Sequence, residues 1–126
     1  MINSKSVIII SSDPVLKGRL GRMLSGPEYQ VFYALRTEQQ LQQKIVEINP
    51  SLIIVDPDIP ALRGISLSLL IRQWSPAPIL MLSAARTQPD EIRMLDIDAE
   101  EYLSEPFDIS LFSARIDNIL SPSPAA

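Results

Sequence analysis

Two hydrophobic patterns alternate along the chain. Consecutive apolar residues occur at Val7–Ile10, Val31–Ala34, Leu52–Val55 and Ile79–Leu82, with a shorter run at Tyr102 and Leu103. Unbroken apolar runs of this length predict strands covered on both faces, as in a parallel sheet. Between them the apolar residues fall three and four apart, the spacing of one helix face. Leu16, Leu20, Met23 and Leu24 form the first such stripe, which stops near Gly26-Pro27. Thr37 is positioned to cap a second helix carrying Leu41, Ile45 and Ile48, ending at Asn49-Pro50. Ile65, Leu69, Leu70 and Trp74 outline a third. Thr87 and Asp90 resemble a capping box opening a fourth, with Ile92, Met94 and Leu95 on its apolar side. Ile109, Phe112, Ile116, Ile119 and Leu120 give the fifth.

Five strand–helix units predict an α/β, doubly wound domain over residues 1–120, with five parallel strands and five helices. Right-handed crossovers place every strand's carboxyl end on one edge of the sheet, where ligands of such folds bind. Residues 121–126, SPSPAA, lack an apolar face and read as a flexible tail or the start of a linker.

Composition narrows the chemistry. The 126 residues suit one domain, and 46 % hydrophobic with 6 % aromatic residues predicts an aliphatic core. Cysteine and histidine are both missing from the sequence, which removes thiolate and imidazole metal ligands and the usual general base. A net charge of −4 gives no basic footprint for nucleic acid. No apolar run approaches the roughly 18 residues of a membrane span, so a cytoplasmic protein is expected.

The strand tips carry Ser11-Ser12-Asp13, Asp56-Pro57-Asp58, Ser83-Ala84 and Ser104-Glu105-Pro106. Neither a GxGxxG nor a GxxxxGK[ST] motif accompanies them, so phosphate cradling by a glycine-rich loop has no support. The segments IIISSDPVLKGRLGRML, SLIIVDPDIPALRG, PILMLSAAR and AEEYLSEPF instead resemble the receiver domain of two-component response regulators, over essentially the whole chain. The resemblance implies a flavodoxin-like sheet of strand order 2-1-3-4-5. It also implies that Asp56 is the phosphoacceptor position, with Pro60 and Gly64 following it as in the family. Ser83 and Ala84 match the hydroxyl residue and alanine after the fourth strand. Tyr102 matches the switch aromatic, and Pro106 and Phe107 the Pro-Phe pair.

Three departures stand out. The family ends its first strand with two acids that hold Mg²⁺ with the phosphoacceptor; here Ser11 and Ser12 occupy those positions. The lysine before Pro-Phe is Glu105, and no lysine follows Lys44. Phosphoryl transfer depends on cations that neutralise the moving oxygens. Mg²⁺ favours carboxylate oxygens, and only Asp56, the Asp58 carbonyl and Asp13 remain as ligands. Each unit of charge about 4 Å from a phosphoryl is worth roughly 4 kcal/mol at an effective dielectric near 20, before screening. Exchanging Lys for Glu reverses the sign, so conventional Mg²⁺-dependent phosphorylation of Asp56 is expected to be disfavoured, with Mg²⁺ binding weak or absent on this thin ligand set.

Plainer readings accompany the functional ones. Asp56 can be a satisfied acid bonded to Ser83 or a loop amide. Ser11 and Ser12 can cap the first helix or the loop, as can Asp13 at the N-cap with Pro14 at N1. Glu105 can face solvent or accept a hydrogen bond from Ser11 or Ser12, and Tyr102 can be an ordinary half-buried aromatic. Phe112 is expected in the core. Receivers of the winged-helix transcription-factor subclass dimerise through the fourth helix, fifth strand and fifth helix. Asp96, Glu101 and Arg115 match that subclass, whereas Glu91, Leu111 and Asp117 depart from it. Leu95 and Leu111 are candidates for an apolar centre.

The expectation is therefore a non-enzymatic pseudo-receiver, acting by protein contact or homodimerisation without phosphorylation, with no resident cofactor. Its partners would be proteins rather than membrane or nucleic acid. The alternatives are a working receiver that phosphorylates Asp56 with help from Asp13, Lys17 or Arg86, and a receiver whose altered pocket senses a small ligand.

Overall fold

The computed structural model describes residues 4–35, 40–56, 69–83, 101–104 and 107–120, with Ser83, Glu101, Tyr102 and Ser104 given by backbone alone. The strands are β1 (Lys5–Ile10), β2 (Tyr29–Ala34), β3 (Leu52–Val55), β4 (Ile79–Ser83) and β5 (Glu101–Ser104). The helices among the described residues are α1 (Pro14–Met23), α2 (Leu41–Ile48), α3 (residues 69–74) and α4 (Ile109–Leu120). The helix expected around Thr87, Asp90 and Leu95 lies outside the described residues, so α4 corresponds to the fifth predicted stripe.

All four strand pairings are parallel, and the sheet runs β2-β1-β3-β4-β5. The chain reverses direction in strand order beside β1, between β2 and β3. That switch point brings the tips of β1 and β3 together.

Alternate residues of the central strands feed two separate cores, as strand geometry requires. Val7, Ile9, Leu52, Ile54, Leu80 and Leu82 pack with residues of α1 and α4. Ile8, Ile10, Ile53, Val55, Ile79 and Met81 pack on the other face with Leu41 and Ile45 of α2 and Ile71 of α3. Phe112 is in the first core, as expected, and its ring stacks against Phe107 with centroids 6.0 Å apart.

Helix ends follow local chemistry. Asp13 caps α1 by accepting from the Val15 and Leu16 amides, with Pro14 at the first helical position. Asp108 plays the same part for α4, its carboxylate accepting from the Leu111 amide at 2.8 Å. The second helix differs from expectation. It begins at Leu41 behind Gln40, which makes no side-chain capping bond, while Thr37 lies outside the described residues. Its far end is as predicted: Asn49 takes a left-handed conformation (φ 51°), which asparagine tolerates, and closes the helix.

Two stripes need correction. On α3 the buried residue is Ile71, whereas Leu69 and Leu70 are exposed. On α4 the stripe starts at Phe112, and Ile109 lies outside the core. On α3 the covered face runs through Ile71, Trp74 and Ser75, so Leu69 and Leu70 lie on another face of the same turn, whereas Ile109 shares the face of Phe112 but stands one turn before it.

Candidate functional site

The site grows from two backbone bonds that prolong the sheet beyond its strands. The Ser11 amide donates to the Ala34 carbonyl at 3.1 Å, and the Asp56 amide to the Ile10 carbonyl at 3.0 Å. Both residues are thereby fixed one step past β1 and β3. Ser11 continues the parity of Val7 and Ile9, and Asp56 that of Leu52 and Ile54. Their side chains therefore leave the same face of the sheet, on neighbouring strands.

They meet there. The Ser11 hydroxyl donates to Asp56 Oδ2 at 2.9 Å. The same oxygen, Ser11 Oγ, accepts from the Asp13 amide at 3.0 Å. Ser11 is 1 % exposed and Asp56 6 %. A buried carboxylate stripped of water needs such donors, and a hydrogen bond to a charged group is worth about 1.5–3 kcal/mol. A chain of two bonds thus links the α1 N-terminus, through one hydroxyl, to the tip of β3.

The earlier readings sort accordingly. Of the two capping roles expected, Ser11 takes the loop, its Oγ accepting from the Asp13 amide, while Asp13 caps α1 and the Ser11 hydroxyl turns inward to the carboxylate. Asp56, for which Ser83 or a loop amide was the expected partner, is bonded by Ser11, a partner that sequence reading missed. Ser83 ends β4 opposite Ser104 of β5. Ser12 is exposed and separates from Ser11. Asp58, Glu105, Leu95 and Asp96 lie outside the described residues. Glu101 and Tyr102 lie on β5, paired with Leu80 and Met81 of β4. Leu111 is exposed and Arg115 half-buried on α4.

Arg19 is a second residue that sequence reading passed over. It reaches from α1 across the first core's outer margin to the segment after β5. Its guanidinium lies 5.0 Å from the centroid of the Phe107 ring and donates to the Phe107 carbonyl at 3.4 Å. A cation over an aromatic face contributes about 0.5–1 kcal/mol when exposed and more when desolvated. The helical offset of Arg19 from Leu16 and Leu20 could not reveal a partner 88 residues away.

A parallel sheet of order 2-1-3-4-5, with an aspartate at the third strand's tip beside the switch point, defines a receiver-type α/β domain. The comparisons agree. The model of the response regulator receiver domain matches residues 7–117, so the chain belongs to that family. The KDP operon transcriptional regulatory protein KdpE of Escherichia coli is 35 % identical over 88 % of this chain and 49 % of its own length. Its Mycobacterium tuberculosis counterpart is 31 % identical over 87 % of this chain and 48 % of its own. The chain thus spans about half the length of these curated relatives. The N-terminal domain of the nisin resistance regulator NsrR shares the fold, with a TM-score of 0.77 at 23 % identity, covering 92 % of this chain and 97 % of that one.

Proposed function

We propose that this chain is the regulatory receiver of a cytoplasmic transcriptional regulator, and that it works as a protein-contact module without conventional Mg²⁺-dependent phosphorylation of Asp56. The observation that carries the reading is the Ser11–Asp56 bond. Where the family resemblance puts a metal-binding acid, this chain has a neutral hydroxyl whose proton satisfies the acceptor carboxylate.

The residues fit Mg²⁺ poorly. Ser11 is a weak ligand already engaged with Asp56, Ser12 is exposed, and Asp13 Oδ1 is occupied by two helix amides. Carboxylates normally supply the binding that Mg²⁺ needs against its hydration. Glu105 in the lysine position works against a phosphoryl group through its charge. The relatives' names point to transcription, and an α4–β5 surface with Leu111, Arg115 and Glu101, joined by Leu95 and Asp96, is our candidate for self-association or partner binding.

The decisive experiment is intact-mass analysis after incubation with Mg²⁺ and a small phosphodonor, paired with beryllofluoride titration followed by amide shifts. No adduct is expected for the parent chain. The triple variant Ser11→Asp, Ser12→Asp, Glu105→Lys should gain one that Asp56→Asn abolishes. A stable adduct on the parent chain, lost in Asp56→Asn, would instead establish a working phosphoacceptor.

A further inference from the structure

Helix α1 is fastened at two points, one beside Asp56 and one beside the start of α4. At the first, the Asp13 amide donates to Ser11 Oγ, and the Ser11 hydroxyl donates to Asp56 Oδ2. Asp13 also opens the helix's own bonding, its carbonyl accepting from the Lys17 amide at 3.0 Å. Arg19 stands six residues further on, about 9 Å along the axis at roughly 1.5 Å per residue. From there its guanidinium covers the Phe107 ring and donates to the Phe107 carbonyl.

Phe107 immediately precedes Asp108, which holds the start of α4 with two bonds. The Asp108 carboxylate accepts from the Leu111 amide, and its carbonyl from the Phe112 amide. The buried Phe107 ring stacks on Phe112. Arg19 thus grips the residue next to the cap, and Leu111 is exposed in the turn that the cap sets. The two fastenings differ in reserve. Ser11 to Asp56 is 2.9 Å, whereas Arg19 Nη2 to the Phe107 carbonyl is 3.4 Å, beyond the usual range of about 2.7–3.2 Å. A small displacement of α1 is enough to break the second bond.

We propose that α1 is a lever joining Asp56 to the start of α4, with Arg19 as the positioning residue that passes its movement on. In one state the Ser11 proton goes to Asp56 and the helix start is held in. The other state arises when a competing donor or an added group takes Asp56 Oδ2. Ser11 is then released, the Asp13 amide follows its Oγ, and the helix moves as a unit. Arg19 withdraws from the Phe107 carbonyl, which frees the Asp108 cap and Leu111 to shift. What Asp56 binds is in this way read at Leu111, on the surface proposed above for partners. The use of that surface rests on the proposed function; the coupling itself does not.

The test is amide hydrogen exchange on the whole chain. Each rate is taken relative to Ile45 of α2, in the opposite core, which carries any general loss of stability. Ser11→Ala should speed exchange at Leu111 and Phe112 about fivefold, the low end of coupling between sites. The near-isosteric Asp56→Asn weakens the same bond and should act in the same direction. In an Arg19→Gln background neither substitution should add anything there. Coupling is reciprocal, so Arg19→Gln alone should speed exchange of the Asp13 amide by a similar factor, which a merely structural Arg19 would not do. Arg19→Lys keeps a cation for the Phe107 ring and should retain part of the coupling. An unchanged Asp13 amide in Arg19→Gln would overturn the lever. So would a Ser11→Ala effect at Leu111 that is the same with and without Arg19. Asp56→Asn carries the test if Ser11→Ala fails to fold, and the phosphodonor experiment reads the proposed function separately.

Discussion

The middle of the sheet and its carboxyl edge are built on opposite terms. Between Val7 and Ile10, Leu52 and Val55, and Ile79 and Leu82, every side chain is aliphatic or methionine and essentially without exposure. One residue further along β1 and β3, the buried side chains become Ser11 and Asp56. The interior is held by contacts that any apolar residue of similar volume can supply. The edge is held by a hydroxyl proton whose direction matters, and which has one carboxylate to satisfy. Loss in the first region is graded with volume, whereas loss in the second strands a buried polar group.

Four measurements can break or sharpen this contrast. The largest effect should come from Phe112→Ala, which opens a void beside Phe107. About 3–5 kcal/mol of unfolding free energy is expected to be lost in urea titrations. Ser11→Ala should follow, at about 1–3 kcal/mol, because Asp56 and the Asp13 amide both lose a partner. If it instead cost nothing, the edge would be no more particular than the interior. Asp13→Ala removes the α1 cap but not the Ser11–Asp56 bond, so about 1 kcal/mol should be lost in the same assay.

The smallest effect concerns alkaline pH. The Tyr29 phenol is raised in the folded chain by burial first, then by Asp117 and Glu28, so the native state holds this proton more tightly than the unfolded one. Its contribution is complete below the ordinary tyrosine value of 10.0 and is lost as pH climbs through the higher folded value. Stability measured above pH 10 should therefore fall with pH, and Asp117→Asn should flatten that slope.

Sequence periodicity placed all five strands within two residues of their ends; in β1, β3 and β4 burial on both faces leaves an unbroken apolar run, whereas β2 at the margin is only partly covered. Helix faces were less legible. Leu69, Leu70 and Ile109 have core chemistry yet stand exposed: the first two share a turn with buried Ile71 but lie on another face, and Ile109 stands one turn before the buried Phe112. At the site, Asp56 and Ser11 were legible as positions but not as partners. Strand parity could have joined them: Ser11 is two steps from Ile9, and Asp56 two from Ile54, on one face. Arg19 on Phe107 depends on how α1 and α4 pack, which no local pattern encodes.

The free margin of β2 has one further consequence. Glu28 and Ala34 direct their carbonyls toward β1, so the alternate carbonyl of Tyr33 points outward, where Lys44 of α2 donates to it at 3.0 Å. A foreign strand laid along that margin would have to dislodge a hydrated ammonium before it could make its own bond. One outward carbonyl of the β2 edge is thus already taken by a charged side chain, which disfavours strand addition there.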